Sequence, residues 1–339
     1  MNARLKVALV FGGRSGEHEV SLRSARSVAE GLSESHDVLP LFVDKAGGWH
    51  LQPAGAPGAE GGEAVFLSPS PEDGGRLRRL ADARELARPD VFFPVLHGTF
   101  GEDGTVQGLF ELASVPYVGA GVLASAASMD KAIMKSLFAE AGLPQVEHRV
   151  LGRRDPALEA RVASELGLPL FVKPAREGST IGITKVSTVD GDELRLAITE
   201  AARHDRLVLA EEFVEGRELT ASILNDRALP LIRIEAPGGN YDYEHKYFSD
   251  ETKYHCPAGL PDAVEHAIRA QSLAAFRILG ANGWGRLDLI LRGDGSWSFL
   301  ELNTSPGMTG HSLVPMAARA EGIGFADLCV KILEGAHVG

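Results

Sequence analysis

The chain of 339 residues is long enough for two or three domains, because one domain usually takes about 150 residues. Its 44% hydrophobic and 24% charged residues exclude disorder of the whole chain, and its net charge of −12 argues against a nucleic-acid partner, because an acidic surface repels phosphate backbones. No apolar stretch reaches the length of a membrane span, and two widely separated cysteines fit a reducing compartment, so we expect a cytoplasmic protein with no membrane partner.

The sequence begins with the pattern of a doubly wound α/β domain. Leu5–Phe11 is an uninterrupted apolar run that ends in glycines, which predicts a buried strand, and apolar residues at helical spacing follow it. Val38–Val43 predicts the next strand. Residues 46–75 are rich in Gly, Pro and Glu, so we interpret them as a surface excursion with one short strand. Val91–Leu96 predicts another buried strand, and residues 105–112 predict a short helix.

Beyond this region, helices alternate with short antiparallel strands, which predicts an α+β organisation. We place the first domain boundary at a long predicted helix, Ala126–Ala141. Residues 236–257 combine tyrosines with charges and fit no single period, and a loop of this length inside a compact domain is usually functional. The other predicted elements are helices at 156–166, 192–203, 262–279, 312–320 and 325–333, and strands at 170–173, 183–186, 207–213, 218–224, 229–234, 285–291 and 298–302.

The strongest local signal is a pair of polar motifs on two predicted strands that flank the turn 292–295. Alternation along a strand places Arg286 and Asp288 on one face of the first strand, and Glu301 and Asn303 on one face of the second. Pairing of the strands would bring two carboxylates and an amide oxygen together, which suits Mg²⁺. On periodicity alone, a hydrogen-bonded polar face of a half-exposed sheet is an equal alternative.

A lysine followed by a glycine loop gives a second candidate site, for phosphate. Lys173 ends a predicted strand, and Arg176–Gly182 supplies backbone N–H groups and hydroxyls that can cradle phosphates. The loop is not a P-loop, because no Gly-Lys-Ser/Thr opens a helix, and an ordinary hairpin loop is the alternative. Lys131 lies in the long predicted helix, where the alternative is a solvated helix face.

Weaker signals come from a strand end and from the first glycine loop. Residues 211–214, with Glu218 after a bend, offer a strand edge for a purine and a carboxylate for ribose, although many strands end in glutamates. The loop Gly12–Gly16 does not match Gly-x-Gly-x-x-Gly, which disfavours a dinucleotide site. Glu17 in a first helical turn also fits a simple dipole partner. His97, after a buried strand, is either a site residue or a loop histidine.

Six motifs follow one another in a fixed order along the chain. They are Gly12–Ser21, Leu96–Gly104, Lys173–Ser179, Tyr241–Tyr247, Gly283–Asp288 and Glu301–Thr309. Together they resemble the D-alanine–D-alanine ligases, a family of the ATP-grasp class. The resemblance covers nearly the whole chain, from about residue 7 to residue 335, and the order of six motifs makes it specific where each motif alone is weak.

The resemblance implies an ATP-grasp fold, of mixed α/β and α+β class, with three domains. These are an N-terminal Rossmann-like domain at 1–125 with the first D-alanine site, a central domain at 126–215 with the phosphate loop and adenine hinge, and a C-terminal domain at 216–339 with the magnesium site and a lid loop at 236–257. ATP is held between the central and C-terminal domains. The family also implies two Mg²⁺ ions, for which Mn²⁺ substitutes, and a homodimer.

The implied reaction joins two D-alanines through a D-alanyl phosphate, with release of ADP and phosphate, for bacterial peptidoglycan precursors. A D-alanine–D-lactate ligase is the alternative within the family. Tyr247 favours the dipeptide, because the depsipeptide ligases lack a tyrosine at this position of the lid. A Rossmann dehydrogenase is the rival enzyme class, and the glycine pattern argues against it.

Matched motif by motif, the resemblance implies a role for each candidate residue. The implied catalytic residues are Glu17, Ser179, Tyr247 and Arg286. The implied D-alanine contacts are Glu17, Val20, His97, Arg286, Gly307, Ser312 and Leu313. The implied ATP contacts are Lys131, Lys173, Ser179, Glu211, Phe213, Val214, Glu218, Lys246 and Asn303. The implied metal ligands are Asp288, Glu301 and Asn303.

Overall fold

The computed structural model describes residues 4–55, 57–151, 156–178, 182–188, 192–236 and 252–338. The strands in these ranges form three sheets that follow one another along the chain, and helices pack against their faces. None of the described helices is both long and apolar enough to cross a lipid bilayer.

The first sheet has seven strands in the order β6-β5-β4-β3-β2-β1-β7. Its strands are β1 (Lys6–Gly12), β2 (Asp37–Val43), β3 (Trp49–Leu51), β4 (Glu63–Leu67), β5 (Leu77–Arg79), β6 (Glu85–Ala87) and β7 (Val91–Pro94). The buried strand β1 pairs in parallel with β2 and β7, as the apolar runs predict, whereas β2 to β6 are antiparallel. The short strand expected within residues 46–75, at 64–67, is confirmed as β4, but the interpretation of the rest as a surface excursion is wrong, because this segment also supplies β3, and Val65 and Leu67 are buried.

Four helices precede the second sheet along the chain, and the last two of them pack on the third sheet. The four helices are α1 (His18–Ser33), α2 (Thr105–Leu112), α3 (Val122–Met129) and α4 (Lys131–Glu140). The single helix expected at 126–141 is therefore two helices. Asp130 leaves the helical conformation, with φ −84° and ψ 96°, and its carboxylate accepts hydrogen bonds from the backbone N–H groups of Ala132 and Ile133. Asp130 is therefore the N-cap of a separate helix, α4.

The second sheet is antiparallel, with the strand order β10-β9-β11-β8. Its elements are β8 (His148–Leu151), α5 (Pro156–Leu166), β9 (Leu170–Pro174), β10 (Thr184–Val186), α6 (Glu193–His204) and β11 (Val208–Glu212). In the β9–β11 register Lys173 lies opposite Leu209, so Glu211 is its diagonal neighbour on the same face.

The third sheet has the order β15-β14-β12-β16-β17, with β13 paired to β12. Its strands are β12 (Arg217–Leu224), β13 (Arg227–Ala228), β14 (Ile232–Glu235), β15 (Lys253–His255), β16 (Trp284–Leu291) and β17 (Trp297–Asn303). Its helices are α7 (Asp262–Ile278), α8 (Leu313–Ala320) and α9 (Phe325–Glu334). α9 packs back on α1, and His337 exchanges two backbone hydrogen bonds of 3.0 Å with Tyr117, so the end of the chain rejoins the first sheet.

Candidate active site

The hairpin of β16 and β17 brings the predicted oxygen ligands to one face. Asp288 lies opposite Glu301, and Arg286 opposite Asn303, with a break in register directly after Asp288. Arg286 donates two hydrogen bonds to the Asp288 carboxylate, at 2.9 and 2.8 Å, and so fixes its orientation. Glu301 Oε2 lies 3.3 Å from Lys131 Nζ, across the cleft from α4. Strand register thus assembles this group from paired residues that are 13 and 17 positions apart in the chain.

These side chains fit a hard divalent cation. The donor set consists of two carboxylates, Asp288 and Glu301, and the amide of Asn303, whose oxygen also accepts a hydrogen bond from the Ser305 N–H at 3.1 Å. Mg²⁺ takes oxygen ligands and usually completes its shell with water and phosphate oxygens rather than with a full protein cage. In the part of the chain that the structure describes, no group of three or more His, Cys, Asp or Glu side chains is placed to bind a metal ion without other ligands.

A cleft joins this hairpin to the other two sheets. The polar side chains that line it come from all three parts of the chain: Glu17, Glu102, Lys131, Arg286, Glu301 and Asn303. The structure therefore brings five of the predicted site residues into one cleft, Glu17, Lys131, Arg286, Glu301 and Asn303, although they are far apart in sequence.

Glu17 forms the end of the cleft nearest to the first sheet. It precedes α1 and is buried, and its Oε2 lies against the backbone of two glycines. A Cβ at Gly98 would be 2.9 Å from Glu17 Oε2, and one at Gly178 would be 3.4 Å from it. Gly98 also has φ +71°, so a larger residue there would be strained and would push on the carboxylate.

His97 links α1 to the segment that follows β17. Its Nδ1 lies 2.8 Å from the Ser305 carbonyl oxygen and its Nε2 lies 3.1 Å from Ser24 Oγ. Burial lowers the pKa of His97, so the neutral ring donates from Nδ1 to the carbonyl and accepts at Nε2 from the hydroxyl. Ser24 Oγ in turn accepts a hydrogen bond from the Met308 N–H. Both ring nitrogens thus form hydrogen bonds within the protein, and His97 connects α1 to the segment that follows β17.

Glu102 is a cleft residue to which the sequence motifs assigned no role. Its Oε2 accepts a hydrogen bond of 2.7 Å from the Gly98 N–H, and its buried Oε1 has no hydrogen-bond partner among the described residues. Burial and then the negative charge of Glu17 raise the pKa of Glu102 to about 8, against the opposing effects of the Gly98 N–H and Arg286. Its place between two glycines after a buried strand was the signal available in the sequence.

Lys131 lines the cleft, and two further buried lysines, Lys135 on α4 and Lys173 on β9, lie near it. Lys131 is buried rather than solvated, and its Nζ donates to the Glu177 carbonyl oxygen at 2.9 Å. Lys173 Nζ lies 2.6 Å from Glu211 Oε2, and Lys135 Nζ lies 3.0 Å from Glu211 Oε1. Burial acts to raise the pKa of Glu211, but the charges of Lys135 and Lys173 outweigh it and lower the pKa to about 2. Sequence reasoning missed Lys135, whose signal was its position one helical turn after Lys131.

The segment after β11 carries the residues expected at the adenine. The ring of Phe213 packs against Phe171, with centroids 5.8 Å apart, and Lys185 Nζ lies 3.9 Å from the Phe213 centroid. Val214 follows directly, and Glu218 is half-buried near the start of β12. β11 lies between β9 and β8 in its sheet, so Phe213 and Val214 continue from an interior strand rather than from a sheet edge, and their place at an adenine stays a prediction.

The residues expected around the second amino acid lie at the start of α8. Ser312 precedes the helix, and its Oγ accepts a hydrogen bond of 2.9 Å from the Thr309 N–H. A Cβ at Gly307 would be 3.2 Å from Ser312 Oγ, so Gly307 and Ser312 are close neighbours. Leu313 is buried in the first turn of α8, and Val20 is buried in α1.

Three candidate residues lie outside the described residues, namely Ser179, Lys246 and Tyr247. Most of the proposed lid loop, residues 237–251, lies outside them as well. The network of Glu17, Ser179 and Tyr247 that the resemblance implies therefore stays a prediction.

Comparison with known proteins places the chain in a well-populated group. Two family models match it, "D-ala D-ala ligase N-terminus" over residues 6–120 and "D-ala D-ala ligase C-terminus" over residues 137–334. The chain is 48% identical over 334 residues to a D-alanine--D-alanine ligase of Azoarcus sp. (strain BH72), covering 98% of both chains. It is 48% identical over 333 residues to a protein of the same name from Bordetella pertussis, covering 97% of this chain and 94% of that one.

Solved structures agree with these sequence matches. The VanG D-Ala:D-Ser ligase from Enterococcus faecalis superposes with a TM-score of 0.88 at 32% identity, covering 98% of this chain and 99% of that chain. The D-alanine-D-alanine ligase from Coxiella burnetii superposes with a TM-score of 0.82 at 27% identity, covering 98% of this chain and 95% of that chain.

Proposed function

The chain belongs to the D-alanine–D-alanine ligase family, and from that premise we propose that it joins two D-alanines in an ATP-dependent reaction. The resemblance inferred from the six motifs and the predicted ATP-grasp fold are both confirmed. The D-alanine–D-lactate alternative is not favoured, because the relatives that match over nearly the whole chain are D-alanine--D-alanine ligases. The product is a precursor of bacterial peptidoglycan.

One observation carries the proposal at the level of chemistry. A single cleft is lined by a buried carboxylate for an ammonium group, a guanidinium, oxygen ligands and the lysine Lys131 for phosphate, contributed by residues far apart in the chain. A carboxylate is a poor electrophile, so the carboxylate of the first D-alanine attacks the γ-phosphate of ATP and becomes an acyl phosphate. The amine of the second D-alanine then attacks the acyl carbon, and phosphate leaves.

At the substrate end, we assign Glu17 to the ammonium group of the first D-alanine. Arg286, which is held in place by Asp288, is assigned to the negative charge that develops on the acyl group, together with the backbone N–H of Gly307. The remaining assigned contacts are Val20 and His97 for the first D-alanine, and Ser312 and Leu313 for the second.

At the nucleotide end, we assign Lys131 and Lys173 to the phosphates, which their ammonium groups bind as point charges. Glu211, Phe213 and Val214 are assigned to the adenine and Glu218 to the ribose, supported by their succession along the segment that joins β11 to β12. Ser179, Lys246 and Tyr247 are assigned on the resemblance alone: Ser179 and Tyr247 in a network with Glu17 that orients the second amine, and Lys246 on the lid.

The family uses a divalent metal, and we propose two Mg²⁺ ions, which Mn²⁺ can replace. Asp288, Glu301 and Asn303 would hold them, because these residues offer the oxygen donors that such cations take. When bound, the ions offset the charge of the phosphate oxygens.

Further parts of the proposal concern the organisation of the protein. The three sheets support a division into domains at 1–125, 126–215 and 216–339, with ATP between the second and third. A homodimer is expected from the family. A cytoplasmic location fits both the intracellular substrates and the two free cysteines, Cys256 and Cys329.

The reaction is tested by ADP release from ATP and magnesium with D-alanine, L-alanine, D-serine or D-lactate as the amino-acid substrate. We expect release that depends on D-alanine and yields D-alanyl-D-alanine. ADP release that is independent of D-alanine would contradict the function, and a preference for D-lactate as second substrate would favour the alternative.

The first prediction concerns the metal ligands. Glu301→Gln should abolish turnover, because it removes one of the two carboxylate charges available to the cations. The matched control is Glu334→Gln, at the exposed end of α9, which should leave turnover unchanged. Phosphate release at the wild-type rate in Glu301→Gln would remove Glu301 from the site.

A further inference from the structure

A fully buried lysine to which no motif assigns a role lies near the nucleotide end of the cleft. Lys135 is on α4, four residues after Lys131, and its side chain has 0% exposed surface. Its Nζ lies 3.0 Å from Glu211 Oε1, while Lys173 Nζ lies 2.6 Å from Glu211 Oε2. One carboxylate therefore holds two ammonium groups, one at each oxygen.

This buried triad carries one positive charge more than neutrality requires. Lys173 alone would neutralise Glu211, and the burial of a second ammonium is unfavourable unless it is paired. Burial lowers the pKa of Lys135, and the charges of Lys173 and Lys131 act in the same direction, so only Glu211 favours its charged form. In the protein without nucleotide, Lys135 therefore adds the free-energy cost of a buried ammonium group without being needed to neutralise Glu211.

The extra lysine has a purpose once a nucleotide is bound. Lys173 is the phosphate contact of the proposed function, yet its ammonium is here paired with Glu211. To reach a phosphate oxygen it has to give up some of that pairing, and Glu211 would be left as a buried, uncompensated charge. Lys135 can prevent this, because it is enclosed beside the other carboxylate oxygen. The α4 backbone at this point is fixed by a 2.9 Å hydrogen bond from Gln145 Nε2 to the Lys135 carbonyl oxygen.

We propose that Lys135 is a positioning residue for the nucleotide: it keeps Glu211 paired and in place while Lys173 turns to the phosphates. The inference rests on the proposed function, since it takes Lys173 as a phosphate contact and Glu211 as an adenine contact. Without Lys135, Glu211 retains Lys173 as its only cation. The phosphates then lose their contact with Lys173, whereas the adenine keeps its contact with Glu211.

The test measures binding of the phosphate part and of the adenosine part of the nucleotide separately. Binding of magnesium tripolyphosphate and of adenosine is measured by calorimetry for the wild type and for Lys135→Met, which replaces the ammonium by an apolar side chain of similar length. We expect tripolyphosphate binding to weaken about ten- to a hundredfold, the range for loss of a hydrogen bond to a charged group, and adenosine binding to stay unchanged.

A double variant tests the direction of the effect. In Lys135→Met combined with Glu211→Gln, no carboxylate holds Lys173, so tripolyphosphate binding should return toward the wild-type value while adenosine binding falls. The matched control is Lys45→Met, whose side chain is 72% exposed and lies 3.7 Å from Glu19, and which should change neither probe.

Other outcomes overturn the inference. Equal weakening of both probes in Lys135→Met, or unchanged tripolyphosphate binding, would leave Lys135 a structural residue. If Lys135→Met does not fold, as judged by circular dichroism, Lys135→Gln replaces it, and failure of both variants to fold also assigns a structural role. ADP release by the wild type tests the proposed function separately, because both probes bind without any ligation of D-alanine.

Discussion

The two ends of the cleft each bury a carboxyl group, and their surroundings act on it in opposite directions. At the substrate end, burial and the charge of Glu17 raise the pKa of Glu102 to about 8. At the nucleotide end, burial also acts on Glu211, but Lys135 and Lys173 outweigh it and lower the pKa to about 2. Both carboxyls are almost fully buried, so the neighbouring charges, rather than depth, decide whether each is ionised.

The difference matches the charges of the two substrates. D-Alanine brings an ammonium group, for which the proposed partner is the carboxylate of Glu17, whereas Glu102 beside it is mostly protonated at neutral pH. ATP brings polyphosphate, which is attracted to an end with an excess of lysines. The triad of Lys135, Lys173 and Glu211 carries one more positive than negative charge in the free protein, which polyphosphate would offset. The following predictions test this comparison in order of decreasing effect.

Glu211→Gln should produce the largest change in stability. It leaves the ammonium groups of Lys135 and Lys173 buried and close together without a counterion, which costs about 3–5 kcal/mol of unfolding free energy. Urea unfolding at pH 7 measures this loss. A loss below about 1 kcal/mol would mean that the two lysines shed their charge instead, and the contrast with Glu102 would disappear.

Glu102→Gln should behave in the opposite way and depend on pH. Because the pKa of Glu102 is about 8 when folded and near 4.5 when unfolded, the folded protein binds its proton more tightly. The contribution of Glu102 to stability therefore falls as pH rises from about 4.5 through 8. Glutamine does not titrate, so the variant should gain on the order of 2 kcal/mol relative to wild type between pH 6 and pH 8. A difference that is constant with pH would show that Glu102 is already ionised at pH 6.

Arg292→Met should produce the smallest change, because its partner carboxylate lies near water. Arg292 donates a 3.2 Å hydrogen bond to Glu212, next in sequence to Glu211, but both side chains are more than a quarter exposed. We expect a loss of about 0.2–1 kcal/mol that disappears in 1 M salt, whereas the Glu211→Gln loss persists there. A large, salt-resistant loss of stability in Arg292→Met would indicate that solvent exposure does not explain why the ion pairs of Glu211 and Glu212 differ in strength.

Sequence reasoning predicted best what local patterns determine. Alternation and a turn were sufficient to predict that pairing of the two strands brings Asp288, Glu301 and Asn303 together, but the break in register that places Asp288 directly opposite Glu301 could not be predicted from the turn. Apolar runs were sufficient to predict β1, β2 and β7. The break at Asp130 was missed because helical spacing continues on both sides of it, and only the N-cap hydrogen bonds reveal the new start.

What sequence reasoning missed depends on tertiary burial. In the sequence, Lys135 and Glu102 look like ordinary surface residues. The pKa of Lys135 is changed by burial and by Glu211, which is more than 70 residues away, and Glu102 is buried against the backbone of Gly98 across a loop. The strands β5, β6 and β15 have three residues each, too few for a periodic pattern to predict them. The roles assigned to the individual site residues remain predictions that the experiments above test.

The return of α9 to α1 has a consequence for synthesis on the ribosome. Leu328, Cys329 and Ile332 complete the apolar cluster around Val28 and Leu32, and the pairing of residues 117 and 337 closes it. About 200 residues separate the first domain from α9, which at about 5–20 residues per second is a delay of about 10–40 s. During that time the nascent first domain exposes the apolar face of α1. A stalled or truncated chain keeps this face uncovered and marks itself for chaperones and proteases.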